Sequence, residues 1–227
     1  MKNEYNNLLP GRRSDHVSLA RLLLSLKIKS DHLKTPRPCA VESHVGGYNN
    51  SAFLEDATGW PMNFQISLRK TEEKDLDYVL AAEHDPANRM FIIPWSRDEH
   101  RRALIAPDLA HLIVQGEREL GYVILAGLED PNETIEFRRI VITEKGKGFG
   151  KRAVQLVKEL AFERYRANRL WLDVKEGNQR AQSLYKAQSF VVEGVLRQRL
   201  KTETGYESLV VMSILREEYE REIRAGD

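Results

Sequence analysis

From Ile135 to Tyr165 the sequence runs strand, glycine-rich turn, helix, and no other stretch constrains the fold as tightly. Ile135 to Ile142 reads as a strand. Glu144-Lys145-Gly146-Lys147-Gly148-Phe149-Gly150 then places three glycines in five positions, and an amphipathic helix follows with Val154, Val157, Leu160 and Ala161 on one stripe. Glycines lack Cβ, so backbone N–H groups can point into one concavity without clashes. A helix starting near Lys151 brings its positive dipole end to the same spot, and Lys145, Lys147, Lys151 and Arg152 add positive charge. The segment predicts an anion site suited to a pyrophosphate. It is not a nucleotide P-loop, because Gly150-Lys151 is followed by Arg152 and the earlier glycine position holds Lys145. Nor is it the dinucleotide fingerprint, since the spacing is G-x-G-x-G rather than G-x-G-x-x-G.

Around this segment the chain supplies a mixed set of elements. Phe64, Ile66 and Leu68 alternate as a strand; Thr71 is placed to cap a helix carrying Leu76, Val79 and Leu80 on one face. Ser96 and Glu99 form a capping box for a second helix, closed by Pro107. His111 to Gln115 and Gly121 to Leu128 read as a hairpin, Leu170 to Val174 as a fifth strand, and Gln179 to Gln188 as a helix. Val191 to Leu200 and Ser208 to Leu215 flank a turn at Thr204-Gly205. The order predicts an α/β (α+β) architecture with a mixed sheet of about seven strands and flanking helices. Three segments are expected: residues 1–61 as a disordered or loosely packed extension, 62–216 as the folded domain, and 217–227 as a charged tail, helical at first. The extension holds four of the eight prolines and lacks sustained periodicity. Two readings of it stay open: upstream translated sequence ahead of a natural start at Met62, or an ordinary flexible extension.

Composition excludes several function classes. Thirty-five basic and 34 acidic residues give a net charge of +1, without the basic excess of a dedicated nucleic-acid binder. No apolar run reaches the roughly 18 residues of a membrane helix; Leu19 to Ile28 is interrupted by Arg21, Ser25 and Lys27. A single cysteine, Cys39, rules out an internal disulfide and fits a reducing, cytoplasmic setting.

Lys145 to Gly150 resembles the Gln/Arg-x-x-Gly-x-Gly/Ala signature of the GNAT superfamily of N-acetyltransferases. Gly148 and Gly150 match its small positions, and Lys145 replaces the usual Gln or Arg. Leu170-Trp171-Leu172-Asp173-Val174, Asn178-Gln179-Arg180-Ala181, Leu184-Tyr185 and Phe190 resemble that family's following strand, Asn-x-x-Ala, Leu-Tyr and Gly-Phe series, with Ser189 where Gly is common. The closing segments around Gly194 to Arg197, Gly205-Tyr206 and Leu209 to Met212 are similar to the branch of ribosomal-protein N-terminal and spermidine acetyltransferases. The resemblance spans about residues 64 to 216.

It implies acetyl-CoA as co-substrate, no metal, and direct acetyl transfer in a ternary complex to a primary amine: a protein or peptide N-terminus, a polyamine or a small amine. It implies that strands four and five splay, with the pantetheine arm lying between them against backbone groups of Ile140, Val141 and Ile142. The turn of Lys145, Gly146, Lys147, Gly148, Phe149, Gly150 and Lys151 would hold the pyrophosphate, and Asn178 and Ala181 would line the arm. Asn178 also suits a helix N-cap. Tyr185, two helical turns on, would give a proton to the leaving sulfur, or stand as a core aromatic. A backbone N–H on the fourth strand, near Val141, would stabilise the charge developing on the thioester oxygen. Glu136 is the candidate base, with an ion pair to Arg138 as its structural alternative; Glu83 and His84 come second. Strand alternation puts Glu136, Arg138, Ile140 and Ile142 on one face, and Phe137, Arg139 and Val141 on the other. Met90, Phe91, Ile92 and Trp95 are expected along the acceptor pocket. Neither nucleic acid nor membrane is an expected partner, and a homodimer is compatible with the family. A non-catalytic acyl-CoA sensor is the competing reading.

Overall fold

The computed structural model describes residues 66–202 and 205–226. The expectations about the extension, Met62, Cys39, Phe64 and Thr204 lie outside them.

Seven strands form one sheet in the order β1-β2-β3-β4-β5-β7-β6. They are β1 (Ser67–Lys70), β2 (Leu109–Gln115), β3 (Glu119–Ala126), β4 (Thr134–Ile142), β5 (Arg169–Lys175), β6 (Val191–Thr202) and β7 (Gly205–Leu215). All neighbours are antiparallel except β4 and β5. The helices are α1 (Leu76–His84), α2 (Pro86–Arg89), α3 (Arg97–Ile105), α4 (Phe149–Glu159), α5 (Gln179–Lys186) and α6 (Arg216–Gly226); a π-helical turn, Leu160–Arg164, extends α4.

Apolar side chains cover both faces of the central strands, so every residue of β3 from Leu120 to Ala126 is buried. On one face Val154, Val157, Ala161 and Phe162 pack with Leu125, Phe137, Leu170, Leu172 and Met212. On the other, Val79 and Ala82 pack with Ile113, Tyr122, Ile124 and Val141. Each such fully buried large side chain contributes about 1.5–3 kcal/mol. The charged C-terminal segment is helical throughout its described length. Tyr219 of α6 stacks on Phe162 with ring centres 4.8 Å apart, and Arg216 donates to the Phe162 and Ala167 carbonyls at 3.0 and 2.7 Å.

The parallel pair is short. Thr134, Ile135 and Glu136 align with Arg169, Leu170 and Trp171, and the ladder stops there. Beyond that point β4 stays paired with β3 through Ile142, and β5 with β7 through Lys175. Each strand is held by its outer neighbour while the two diverge, which opens the wedge expected between strands four and five.

Two local expectations are corrected. Thr71 does not cap α1. A 3-10 turn, Glu73–Asp75, precedes the helix and carries a Glu72/Asp75 capping box, while the Thr71 hydroxyl meets His111 Nδ1 at 2.9 Å. The strict alternation along β4 also fails. Ile124 aligns with Arg139 and Leu125 with Phe137, so Arg138 is an extra residue, a β-bulge. The bulge resets the pleat: Phe137 shares a core with Ile140 and Ile142, while Val141 packs in the opposite one.

Candidate active site

The glycine turn joins β4 to α4. Gly146 and Gly148 have φ of 83° and 81°, a region that favours glycine. A Cβ built at either would meet nothing within 4 Å, so both glycines face open space. Gly148 is the N-cap of α4, and no side chain caps the helix. The first intrahelical bond here runs from Arg152 N to Gly148 O at 3.1 Å, which leaves the Gly150 and Lys151 N–H groups ahead of it. These features fit the diphosphate of coenzyme A, an anion that main-chain donors at a helix start receive well.

The turn is pinned from outside. Lys145 Nζ donates to the Ala87 carbonyl at 2.7 Å and to Asn88 Oδ1 at 2.5 Å. Asn88, buried, donates in turn to the Ala82 carbonyl at 2.8 Å. Desolvation, and then the Arg180 charge, lower the Lys145 pKa. Lys147 faces solvent and pairs with Glu144 at 2.7 Å; the Phe149 side chain is in the core.

A cleft of about 550 Å³ runs from this turn along the open side of β4 to α5. Ile140, Val141, Ile142, Lys145, Gly146, Gly148, Gly150, Lys151, Asn178, Ala181 and Tyr185 all line it. The turn and α5, some thirty residues apart in sequence, are thus brought to one place. Asn178 caps α5, accepting from Ala181 N at 3.1 Å, and its cap role coexists with a place on the cleft wall. Tyr185 is 6% exposed and packs edge-on against Phe137 and tilted against Phe190. Burial, and then the negative charge of Asp173, push its phenol well above the ordinary tyrosine range, so it carries its proton at neutral pH.

A second cleft, about 290 Å³, meets the first at Ile140, Asn178, Ala181 and Tyr185. Phe91 and Ile92 border both, whereas Met90 and Trp95, expected beside them, line neither; Trp95 packs against Arg139 instead. Its further walls carry Arg138 and Arg139 of β4, Asp173 and Lys175 of β5, and Arg199 of β6. A second bulge presents Arg199: β6 slips against β7 between Leu196 and Leu200, with Gln198 at φ 52°. Desolvation, and then the neighbouring Glu136, raise the Asp173 pKa, against Arg199 and Arg138. Glu136 itself lines neither cleft and is ion-paired with Arg138 at 2.6 Å.

Beneath the acceptor loop lies a buried polar cluster. Glu83, fully buried, accepts from the Tyr122 hydroxyl and from Arg139, and its other oxygen accepts from Trp95 N at 2.7 Å. Arg139 also donates to the Ile93 carbonyl at 2.8 Å and sits 4.6 Å from the centre of the Trp95 ring. Burial opposes ionisation of Glu83, but His100 with its Nε2 3.4 Å away, the Tyr122 hydroxyl, the Arg139 charge and the Trp95 N–H hold its pKa down to about 2. Burial, and then His100, lower His111 to about 3. Glu83 is therefore a fixed anion clamping residues 93–95. His84 is exposed, with Nδ1 2.7 Å from the Leu80 carbonyl.

Several lining residues escape the sequence reading. Arg180 sits inside the quoted Asn-x-x-Ala motif, and its charge was the available signal. Asp173 was visible only as one letter of a strand. Asn88 and Arg199 carry no local signal, because a helix turn and a bulge elsewhere bring them in. Among the described residues, no group of three or more His, Cys, Asp or Glu is placed to hold a metal ion, and no helix is long and apolar enough to cross a membrane.

Comparisons with known proteins agree with this geometry. A family model described as an acetyltransferase (GNAT) domain matches residues 65–191. The spermidine N(1)-acetyltransferase of Escherichia coli K12 is 26% identical over 171 residues, covering 70% of this chain and 90% of that protein. The dodecameric spermidine N-acetyltransferase from Vibrio cholerae in its intermediate state is 25% identical, with a TM-score of 0.60 over 69% of this chain and 97% of that one. The Vibrio cholerae enzyme in complex with CoA and spermine gives a TM-score of 0.64 at 24% identity, over 70% and 99% of the two chains, and shares the fold.

Proposed function

The chain belongs to the GNAT acetyltransferase family and is an acetyl-CoA-dependent N-acetyltransferase acting on a primary amine; we propose that the amine is that of a polyamine and that the two meeting clefts are its donor and acceptor sites. The observation that carries this reading is the wedge. One continuous cleft joins the glycine turn to Tyr185, and a second meets it at the same tyrosine. Acetyl-CoA supplies an acetyl thioester. The turn of Gly146 to Lys151 takes the diphosphate on backbone N–H groups, with Lys151 and Arg180 beside it. The open edge of Ile140, Val141 and Ile142 takes the pantetheine arm against Asn178 and Ala181. Thr143 N donates to the Leu120 carbonyl, and alternation along β4 turns the Val141 N–H toward β3 and the Ile140 and Ile142 N–H groups toward the wedge. One of the latter two would face the thioester oxygen as charge develops there.

Tyr185 supplies a proton to the departing sulfur. Burial and the Asp173 charge keep the phenol protonated but also make it a weaker acid, so the transfer rests on the thiolate forming directly beside the hydroxyl. Glu136 is held by Arg138, so its part is to set the charge around Asp173. The polyamine assignment draws on the spermidine acetyltransferase relatives. A cytoplasmic location accords with the need for acetyl-CoA. The free β6 edge exposes Val191, Val192, Val195 and Leu196, and we assign it to contact with a second copy of the chain, which light scattering at varied concentration tests.

The functional test is release of free thiol from acetyl-CoA with spermidine, spermine, a peptide α-amine and an aminoglycoside. Turnover is expected, highest with a polyamine. Binding of acetyl-CoA with no thiol release from any amine would establish the sensor reading instead.

A further inference from the structure

Asp173 stands apart from every other carboxylate near the wedge. Glu83 is locked by Arg139 and Tyr122, Glu136 by Arg138, and Glu207 by Lys175 at 2.8 Å. Among the described residues the Asp173 carboxylate has neither a hydrogen bond nor an ion pair, although it lines the acceptor cleft. Its position follows from the strand. Leu170, Leu172 and Val174 are buried in the core, so Trp171, Asp173 and Lys175 point to the opposite face. The β4–β5 ladder ends at Trp171, so Asp173, two residues on, is the first residue on that face where the strands have parted. Asp173 is exposed, so water solvates its carboxylate in the open cleft and an incoming cation can reach it.

We propose that Asp173 is the carboxylate that receives the acceptor's ammonium group and takes its proton. This rests on the acetyltransferase reading of the same site. The ammonium docks on Asp173 and passes one proton to the carboxylate, directly or through one water. The neutral nitrogen attacks the acetyl carbonyl, forming the C–N bond. Collapse breaks the C–S bond as Tyr185 protonates the sulfur, and the phenolate recovers a proton from the acylated nitrogen. The products are the amide and free thiol, and Asp173 returns its proton to solvent. The groups facing Asp173 are Glu136, Arg138 and Arg139 of β4, Lys175 of its own strand, Tyr185 of α5 and Arg199 of β6. Glu136 makes it the more basic, and Arg138 and Arg199 limit that effect.

The test is Asp173→Asn, with spermidine as acceptor. At pH 7 kcat/KM is expected to fall about 10²–10³-fold, with melting temperature and acetyl-CoA Kd unchanged. The deficit should shrink toward pH 10, where an amine with pKa about 10.4 sheds its own proton. Asp173→Ser, a smaller neutral replacement, should behave alike, and Asp173→Glu should recover part of the rate. Activity of Asp173→Asn within threefold of the parent from pH 6 to 10 would overturn the assignment and leave the acetyltransferase reading standing. A deficit equal at every pH would likewise overturn the proton-acceptor role. If the parent protein turns over no amine, both readings fall together.

Discussion

The two ends of the wedge are built from different materials. The donor end is main chain: a turn of glycines, the start of α4 and the unpaired edge of β4. The acceptor end is side chain: Phe91 and Ile92 from a loop, Arg138 and Arg139 beside one bulge, Asp173 from β5 and Arg199 from a second bulge. A ligand gripped by backbone requires a contiguous stretch of suitable conformation. A ligand gripped by side chains requires only that a few residues converge, and the segments that bring them together are free to vary in length and position.

The comparison breaks most visibly at Gly148. Gly148→Trp forces a large side chain at positive φ and aims it into the cradle. Acetyl-CoA affinity measured by calorimetry is expected to fall at least about 1,000-fold, which is about 4 kcal/mol. Gly148→Ala separates the causes: it adds strain with little bulk and should lower the melting temperature while costing far less affinity. Retained affinity in Gly148→Trp would show that the diphosphate lies elsewhere.

Where the ends meet, Tyr185→Phe removes one hydroxyl and leaves the ring packed on Phe137 and Phe190. A fall in kcat of about 10²–10³-fold is expected, with acetyl-CoA Kd within threefold. Equal falls in kcat and in affinity would make Tyr185 a packing residue only.

These differences explain what the sequence discloses. The strands, the glycine turn and the Asn178 cap are readable because each depends on short-range spacing, whereas the part given to Tyr185 rests on resemblance. The splay itself is not a local property; it came through resemblance, and its physical cause is that the outer pairs β3–β4 and β5–β7 outlast the inner one. The face assignment along β4 failed because a single extra residue, Arg138, inverts everything on one side of it, and no residue type announces that bulge. Thr71 failed as a cap because its hydroxyl has a buried partner in His111, forty residues away. Asp173 and Arg199 were legible as charges but not as neighbours.

Acid should weaken the acceptor end first. Glu83 and His111 lie beneath that end, and both have depressed pKa values in the folded protein, about 2 and about 3. An unfolded His111 takes a proton as pH falls below its ordinary value near 6.5 while the folded one does not, so stability declines from there toward pH 3. The Glu83 contribution is complete above about pH 4.5 and is lost as pH falls toward 2; over that whole span it is on the order of 3 kcal/mol. Melting temperature should therefore drop between pH 6.5 and 4, and the spermidine KM should rise before acetyl-CoA binding weakens. His111→Gln should start lower but run flatter across that range. An unchanged slope would place the acid-sensitive groups elsewhere.

The smallest effect sharpens the contrast most. If the donor end is main chain in character, Lys145 matters as a strut rather than as a charge. Its ammonium is already engaged by the Ala87 carbonyl and Asn88 Oδ1, and desolvation lowers its pKa. Lys145→Ala removes two hydrogen bonds and leaves a buried amide oxygen short of a donor. At about 1 kcal/mol net per bond, part of it felt as a looser turn, acetyl-CoA Kd should weaken about five- to tenfold. Lys145→Gln keeps a donor without the charge and should retain most of the affinity. A strut's contribution is insensitive to ionic strength, whereas a direct phosphate contact is screened. If Lys145→Gln is as weak as Lys145→Ala, and the deficit of both disappears in high salt, the lysine holds phosphate by charge, and the donor end is less purely a backbone site than its geometry suggests.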